Sequence, residues 1–298
     1  MKSVQVLLST YNGEAFLAEQ IRSILQQRDV AVNLRVRDDG STDKTIEILN
    51  DFQQNGALTY SVGDNIKPAR SFMTLLQQSD DADFYAFSDQ DDFWMNDKLS
   101  AAVKQLENNA DKPALYFSRT TLADADLKPI GCVEINPKLT FGESLVYEFV
   151  AGCTIVMNRS LRDILANYMP QHLAMHDVWV YSVALAIGAT VIFDPQSHIL
   201  YRQHAHNAIG QHANFYENWR RRLRRLTHNE QERYHRACEI KQGFYAMMTK
   251  ENQNLINDFI NAKHCASKRL KLARDARLHC ANTATWHRFQ LAALLNTY

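Results

Sequence analysis

The stretch FYAFSDQDDFW, residues 84–94, decides how the rest of the chain is interpreted. It opens as the mostly apolar run of a buried strand, and Asp89, Asp91 and Asp92 follow at once. Three carboxylates in four positions repel one another, so unless water solvates them they need a cation nearby. Oxygen ligands suit Mg²⁺ or Mn²⁺, which commonly share a small carboxylate set with substrate phosphates. The alternative is an acidic, solvated loop.

The segments around this strand alternate between strand and helix patterns. Alternating or continuous apolar residues predict strands near residues 4–8, 32–36, 58–62 and 114–118. Helical spacing of apolar residues predicts helices between them, one of which opens at Pro68. This β-α-β-α order predicts a mainly parallel sheet with right-handed crossovers. Ligands of such sheets bind beyond the carboxyl ends of the strands.

Polar residues follow three of these strands. The strand near residues 4–8 is followed by STYNGE, residues 9–14, and the strand near residues 32–36 is followed by RDDGS, residues 37–41. The strand at residues 84–88 is followed by the aspartate motif, Asp89, Asp91 and Asp92. Asp39 could accept a hydrogen bond from a base or a ribose. Each of the two polar loops, taken alone, is also typical of turns and helix caps. Their shared position predicts a polar cleft at this edge of the sheet.

Beyond residue 120 the patterns are weaker. We predict a strand near residues 153–157, a helix near residues 161–168 and a last strand at residues 199–204. His176 and Asp177 precede an uncharged segment that fits a buried helix followed by a strand. An aspartate in that position is also a common helix cap, and a lone histidine such as His204 is commonly structural. From residue 219 onward the chain is predicted to be helical.

Composition favours a soluble globular protein and argues against several classes. The 298 residues carry no net charge, 46% of them are hydrophobic, and no apolar run is long enough to span a membrane. Five cysteines without a CxxC pair argue against a zinc knuckle or a disulfide scaffold. The sequence also leaves no room for a signal peptide before the first strand. Together with the scattered cysteines, this predicts a reducing cytoplasm. The GxGxxG and GxxxxGK[ST] motifs of dinucleotide and P-loop enzymes are absent.

The neutral average hides a strong charge asymmetry. Residues 219–298 contain 16 of the 33 Lys and Arg but 6 of the 33 Asp and Glu, a net charge of +10, and residues 1–218 carry the opposite charge. The densest basic cluster lies at residues 220–225. A basic, helical tail of this kind suits an anionic membrane surface. The alternatives are pairing with the acidic body, with an oligomer partner or with solvent. Nucleic acid is disfavoured because no groove-reading motif is present and the acidic body would repel phosphates.

The order of the motifs STYNGE, RDDGSTDKT, GDNIKPARSF, SDQDDFW, AGCTIVMN, HDVW and YRQHAHNAIG resembles the family 2 inverting glycosyltransferases. It is most similar to the bacterial rhamnosyltransferase-like branch that assembles surface polysaccharides, and it covers roughly residues 3–210. The resemblance implies a GT-A fold of the α/β class, with a mainly parallel sheet flanked by helices. Residues 1–210 would form this nucleotide-sugar-binding and catalytic domain. Residues 211–298 would form a basic, mostly helical C-terminal region.

The resemblance also implies roles for individual residues. Asp177 matches the catalytic base, and His176 stands where other members often have glutamate. The metal site would consist of Asp89, Asp91 and His204. Asp92, Trp94, His176 and Trp179 are candidates for donor or acceptor contacts. The nucleotide-sugar pocket would be lined by Thr10, Tyr11, Asn12, Glu14, Asp38, Asp39, Asn65, Lys67, Arg70, Ser88 and Asp89.

The implied activity is a metal-dependent transfer of a sugar, with inversion, from a nucleotide diphosphate to a saccharide. The resemblance favours L-rhamnose from dTDP-rhamnose, an acceptor on a lipid carrier, and a cytoplasmic enzyme held at the inner face of the membrane. A UDP-hexose donor fits the same motifs. A nucleotide-sugar-binding subunit without catalysis and an interaction protein acting through the basic tail are alternatives from other classes, and an oligomer is compatible with each.

Overall fold

The computed structural model of the chain describes residues 1–109, 112–203 and 231–298. Its first part alternates strands and helices as the sequence predicts, and Pro68 is indeed the first residue of a helix. The elements are β1 (Lys2–Thr10), α1 (Leu17–Leu25), β2 (Val30–Asp38), α2 (Thr45–Gln54), β3 (Thr59–Val62), α3 (Pro68–Gln77) and β4 (Phe84–Ser88).

The remaining elements complete a sheet and add a helical region. After β4 the chain forms β5 (Phe93–Trp94), α4 (Lys98–Leu106), β6 (Ala114–Ala123), β7 (Pro129–Cys132), α5 (Phe141–Val146), β8 (Val156–Asn158), α6 (Arg159–Ala166), α7 (His176–Ala186) and β9 (Thr190–Arg202). The described part of the C-terminal region contains α8 (Glu232–Phe244), α9 (Lys250–Ala262), α10 (Ala266–Leu272) and α11 (Thr283–Leu295). The helical prediction is confirmed for these residues.

The strands form a single mixed sheet in the order β3-β2-β1-β4-β8-β6-β9-β5, with β7 paired to β6. The first four strands are parallel, which confirms the prediction for this half of the sheet. Beyond them β8 runs antiparallel to both β4 and β6, whereas β9 runs parallel to β6. The strand predicted at residues 153–157 is shorter, because residues 152–154 form a 3-10 turn and β8 begins at Val156.

Hydrophobic side chains pack on both faces of the sheet. Within β1, Val4, Val6 and Leu8 join the cluster under α1, α2 and α4, while Leu7 joins the cluster under α3 and α7. This alternation follows from the two-residue period of a strand. Both faces are therefore covered by helices, and polar groups of the site are left to the carboxyl edge of the sheet.

The C-terminal helices share the second of these clusters with the helices under the sheet. Phe244, Phe259, Phe289 and Tyr298 belong to the same buried cluster as Phe87. Part of this contact is backbone against backbone, since Gly142 of α5 lies directly under the carbonyl of Arg277. The proposed boundary at residues 210 and 211 and the basic cluster at residues 220–225 lie outside the described residues.

Replacing Gly142 by Ala should lower the melting temperature. An added Cβ would collide with the Arg277 carbonyl and press on Leu255 Cδ2 at 3.3 Å, and overpacking of this kind costs about 1–3 kcal/mol. The matched control is Gly131→Ala in β7, where nothing lies within 4 Å of the new Cβ. Thermal unfolding followed by circular dichroism should show a drop for the first variant alone. Equal melting temperatures would mean that the C-terminal helices do not press on α5.

Candidate active site

The loops after β1 and β2 are joined by hydrogen bonds at the carboxyl edge. The side chain of Asn12 accepts from the backbone N–H of Thr42 at 2.8 Å, and that of Glu14 accepts from Lys44 N–H at 2.9 Å. The sequence suggested that Asn12 and Glu14 line the nucleotide pocket. Here their oxygens bind the neighbouring loop, so they shape the rim of the cleft. Tyr11 lies beside them with 46% of its surface exposed.

Gln90, the middle residue of the aspartate motif, joins its loop to the loop after β1. Its Oε1 accepts hydrogen bonds from Thr10 Oγ1 at 2.6 Å and from Tyr11 N–H at 2.9 Å, and its Nε2 donates to the Tyr11 carbonyl at 3.2 Å. Gly13 is needed beside it, since a Cβ there would lie 2.5 Å from Gln90 Oε1. Sequence reasoning missed Gln90, because a glutamine between aspartates carries no pattern of its own.

Asp38 and Asp39 are both buried, and each already has partners within the protein. Asp38 Oδ1 accepts from Gly40 N–H at 3.0 Å and Ser41 N–H at 2.8 Å, which makes it the cap of this turn. Asp39 Oδ1 is paired with the guanidinium of Arg37, and its Oδ2 accepts from Ile66 N–H at 3.1 Å. Asp39 thereby fixes the segment after β3 against the end of β2.

The segment after β3 carries the three predicted residues Asn65, Lys67 and Arg70, all of them exposed at the rim. Asn65 Oδ1 accepts from Lys67 N–H at 3.2 Å, and Lys67 has a φ of 72° at the start of α3. Arg70 Nη2 donates to the Gln171 carbonyl at 3.0 Å. This contact links the start of α3 to the loop that leads into α7.

The carboxylates after β4 lie where water is scarce. The hydroxyl of Ser88 is buried and hydrogen-bonds to the Gln20 amide at 2.8 Å. Burial raises the pKa of Asp89 to about 7, and the charges of Asp91 and Asp177 add to the effect. A cation would relieve this repulsion.

The structure gathers a different ligand group from the one expected. Among the described residues, ligand atoms of Asp89, Asp92 and Cys153 lie within 4.8 Å of one another. Asp92 and Cys153 are each 1% exposed, and Asp92 Oδ1 accepts from Arg202 N–H at 3.4 Å. The expected third ligand, His204, lies outside the described residues. The two carboxylates are of the ligand type that suits Mg²⁺ or Mn²⁺, whereas a thiol would favour softer metals.

A buried lysine interacts electrostatically with Asp92. Lys98 is 2% exposed, and its Nζ lies 3.7 Å from the centre of the Trp94 ring. Burial lowers the pKa of Lys98 to about 8, while the charges of Cys153 and Asp92 oppose that shift. Sequence reasoning missed Lys98 because it occupies an ordinary helix position.

Both tryptophans predicted to contact a substrate belong to the core. Trp94 is completely buried in the cluster under α1 and α4, and Trp179 is 1% exposed. Trp179 packs with Tyr168 and Phe244, at ring-centre distances of 6.1 and 6.0 Å. Trp179 also forms part of the wall of a cavity of about 270 Å³ beside α8. We correct the assignment of Trp94 to a structural one.

Asp177 occupies the first turn of α7 and is 6% exposed. Its Oδ1 accepts from Val178 N–H at 2.7 Å, and it also accepts from the backbone of Gly152. Burial raises the pKa of Asp177 to about 6, against the effect of those bonds. The charge of Asp177 also raises the pKa of Asp89, so the two carboxylates lie close enough to interact electrostatically.

The imidazole ring of His176 is buried against aromatic side chains and is not exposed for contact with a substrate. Its ring stacks on Phe72 with centres 4.0 Å apart and meets Phe87 edge-on at 5.1 Å. Burial lowers its pKa to about 3, so the imidazole is neutral at physiological pH. Gly152 leaves the room for it, since a Cβ there would lie 2.5 Å from His176 Nε2. His176 therefore supports the orientation of the turn that carries Asp177.

Arg202, at the end of β9, connects the aspartate loop to three other parts of the chain. Its side chain is 2% exposed; Nε donates to the Asp91 carbonyl at 2.9 Å, Nη1 to the Ala125 carbonyl, and Nη2 to Glu19 Oε2 at 2.5 Å. A guanidinium presents its donors in a fixed fork, which is why one residue can hold three acceptors. The sequence offered no signal for it beyond its place beside His204.

A mixed sheet of this order, with buried carboxylates at the carboxyl edge of its parallel half and a further aspartate opposite, defines a glycosyltransferase of the GT-A type. Residues 5–129 match the sequence model of Glycosyl transferase family 2. The chain is 31% identical over 234 residues to the dTDP-rhamnosyl transferase RfbG of Shigella flexneri, covering 72% of this chain and 77% of that one. The chain belongs to Glycosyl transferase family 2.

Other relatives share the family or the fold at lower identity. An Escherichia coli protein, UDP-Glc:alpha-D-GlcNAc-diphosphoundecaprenol beta-1,3-glucosyltransferase WfaP, is 24% identical over 161 residues, which are 54% of this chain and 62% of WfaP. The structure of S. aureus TarS 1-349 with UDP-GlcNAc superposes with a TM-score of 0.59 at 16% identity, over 99% of this chain and 82% of that one. The mannosyltransferase PcManGT from Pyrobaculum calidifontis, in complex with GDP-Man and Mn²⁺, gives 0.50 over 99% and 85% at 16% identity.

Replacing Arg202 by Lys should weaken the response to Mn²⁺ more than it weakens the fold. A lysine keeps the charge but cannot hold three acceptors at once, so the aspartate loop loosens. We expect the half-saturating Mn²⁺ concentration for donor turnover to rise roughly tenfold, as for other residues that orient metal ligands.

The matched control is Arg236→Lys, at another buried arginine that binds Glu148 at 2.7 Å and the Ser144 carbonyl at 3.2 Å. It should lower the melting temperature with no change in the Mn²⁺ requirement. If both variants showed the same change in Mn²⁺ requirement, Arg202 would be a general stabilising residue. It would then have no specific role in holding the aspartate loop.

Proposed function

We propose that the chain transfers a sugar from a nucleotide diphosphate donor to a saccharide acceptor in one displacement that inverts the anomeric carbon. The supporting observation is that Asp177 is a buried carboxylate with a raised pKa whose charge acts on Asp89 of the aspartate motif. The similarity to RfbG favours dTDP-rhamnose as donor. A UDP-hexose is the second candidate, favoured by the similarity to WfaP.

The nucleotide would bind at the loops after β1 and β2. The exposed ring of Tyr11 offers a stacking surface for the base, and the ordered turn around Asp38 and Asp39 presents backbone groups beside it. Lys67 and Arg70, exposed at the rim, would bind phosphate oxygens. Thr10 and Ser88 would hold the floor of the pocket, where their hydroxyls bind Gln90 and Gln20.

Asp89 and Asp91, with His204, would hold Mg²⁺ or Mn²⁺, and Asp92 and Cys153 would lie behind them. When bound, such an ion offsets the negative charge that develops on the departing nucleotide diphosphate. The chain contributes by keeping these carboxylates together against their repulsion, through the hydrogen bond of Arg202 with the loop and the electrostatic interaction of Lys98 with Asp92. This is preorganisation, because the arrangement exists before the donor arrives.

Asp177 would take the proton of the acceptor hydroxyl as the new glycosidic bond forms. A hydroxyl is a weak nucleophile at neutral pH, and a carboxylate with a raised pKa is a better base than an ordinary one. The hydroxyl oxygen bonds to C1 of the sugar, the bond from C1 to the diphosphate oxygen breaks, and the proton ends on Asp177. No water is activated, which separates this chemistry from that of a glycosidase.

Activity should fall on the acid side of pH 6 when the cation is saturating. Asp177 is ionised above its pKa of about 6 and protonated below it, so kcat/KM should decline roughly tenfold per pH unit below that value. Asp177→Asn should lower kcat at least about a hundredfold and remove this limb of the profile. An unchanged profile in the variant would exclude Asp177 as the base.

Nucleotide-sugars should raise the melting temperature in the presence of Mn²⁺, because a ligand that binds only the folded state stabilises it by mass action. We expect dTDP-rhamnose to give the largest shift and Asp91→Ala to abolish the Mn²⁺-dependent part. Turnover of the binding donor should then appear with an acceptor or as slow hydrolysis. Binding without any turnover would identify a nucleotide-sugar-binding subunit, and a larger shift with a UDP-hexose would replace rhamnose.

The acceptor is proposed to be a saccharide on a lipid carrier, the kind of molecule named for WfaP. The enzyme would act in O-antigen, capsule or cell-wall polysaccharide synthesis, at the cytoplasmic face of the membrane. Within the described part of the chain, no helix is long and apolar enough to cross a bilayer. We retain residues 1–210 as the proposed catalytic domain and residues 211–298 as the proposed basic region, without a role in binding nucleic acid. An oligomer would be compatible with this arrangement.

A further inference from the structure

Helix α11 has two apolar faces, of which one is exposed. Trp286, Phe289 and Ala293 point into the shared core and are at most 7% exposed. Leu291, Leu294 and Leu295 are 46%, 47% and 58% exposed. Their spacing of three and four residues places them side by side on the helix surface. One exposed leucine is ordinary, but three adjacent ones form a patch that marks a contact surface. We call Leu291, Leu294 and Leu295 the leucine face.

Exposed basic side chains lie on α11 and on the helix next to it. Arg288 is exposed on α11 one turn before Leu291. The adjacent α10 is joined to α11 by a 2.8 Å hydrogen bond from Gln290 Nε2 to the Ala273 carbonyl. Its outer surface carries Leu270, which is 43% exposed. We call the exposed cations of the two helices and the turn between them the basic flank; they are Lys268, Lys271, Arg274 and Arg288.

The surrounding sequence contains almost no negative charge. Residues 259–298 include seven Lys and Arg and a single acidic residue, Asp275, which gives a net charge of +6. Asp275 is itself paired with Arg277 at 2.6 Å. The basic flank therefore faces outward without local neutralisation from the sequence around it. A partner for this surface should combine an apolar layer with negative charge.

We propose that the leucine face and the basic flank dock the C-terminal region onto an anionic phospholipid surface, with α11 lying in the plane of the membrane. In that position the leucines enter the acyl boundary while the cations remain among the headgroup phosphates. Charge favours this occupant over a second copy of the chain. A symmetric pair of such faces would place one basic flank near the other, whereas a lipid surface brings the opposite charge.

This surface differs from the arginine cluster of residues 220–225, which lies outside the described residues. It rests on exposed leucines as well as charge, so it predicts insertion and not only electrostatic attraction. It does not depend on the donor or on catalysis. Membrane docking and the proposed transfer reaction can therefore be tested separately.

The test is flotation of the full chain with vesicles made of equal parts phosphatidylglycerol and phosphatidylcholine, or of phosphatidylcholine alone. The unmodified chain should float with the anionic vesicles, and added salt should weaken the binding. The double variant Leu291→Ser with Leu294→Ser should bind at least about tenfold more weakly. Lys271→Glu with Arg288→Glu should bind more weakly and depend less on salt.

The matched control removes apolar surface elsewhere. Val62 and Ile130 are 56% and 54% exposed on β3 and β7, and Val62→Ser with Ile130→Ser should leave vesicle binding unchanged. All three double variants should retain the circular dichroism spectrum and the donor hydrolysis of the unmodified chain in solution. If neither the unmodified chain nor any of the three variants hydrolyses a donor while vesicle binding is intact, the proposed function is contradicted. The proposed docking surface is not affected by that result.

Three results would overturn the proposal. The first is that the unmodified chain does not float with anionic vesicles. The second is that the leucine variant floats as well as the unmodified chain, which would assign the binding to another segment. The third is self-association in sedimentation equilibrium that disappears in the leucine variant while vesicle binding is absent, which would make this face an interface between copies.

Discussion

The site depends on holding several carboxylates, charged and close together, where water reaches them poorly. Burial raises the pKa of Asp89 to about 7 and that of Asp177 to about 6. A carboxyl whose pKa is raised in the folded state stabilises the fold fully only below its unfolded pKa. That contribution is lost as the pH rises through the folded value. At neutral pH these groups therefore work against folding, and the same property makes one of them a good base and the other receptive to a cation.

Contacts between distant parts of the chain keep this arrangement in place. Gln90 binds the backbone after β1, and Arg202 joins the loop to β9, to the β6–β7 turn and to α1. Gly152 gives His176 its place beside Phe72, and with it the turn that carries Asp177. The contacts of Gln90 and Arg202 join elements far apart in sequence, so the site is a product of the whole sheet.

Much of the fold could be predicted because its signals are local. The strand near residues 84–88, the helix that begins at Pro68 and the parallel order of the first four strands follow from apolar spacing and from proline geometry. In the second half of the chain, the bounds and the pairing of the strands could not be predicted where the run of apolar residues is short. A strand of three residues such as β8 shows no period, and its antiparallel pairing with β4 and β6 is set by the sheet.

The sequence by itself determined the chemistry at hand: an aspartate motif at the end of a buried strand, an aspartate before an apolar helix, and a basic tail. Only the tertiary structure decided what each group does. It used the oxygens of Asn12 and Glu14 to join two loops, buried Trp94 in the core, and brought Lys98 into electrostatic interaction with Asp92. The physical reason is that residue type fixes which bonds a side chain can make, whereas its partners and its exposure to water are fixed by neighbours that the fold brings from elsewhere in the chain.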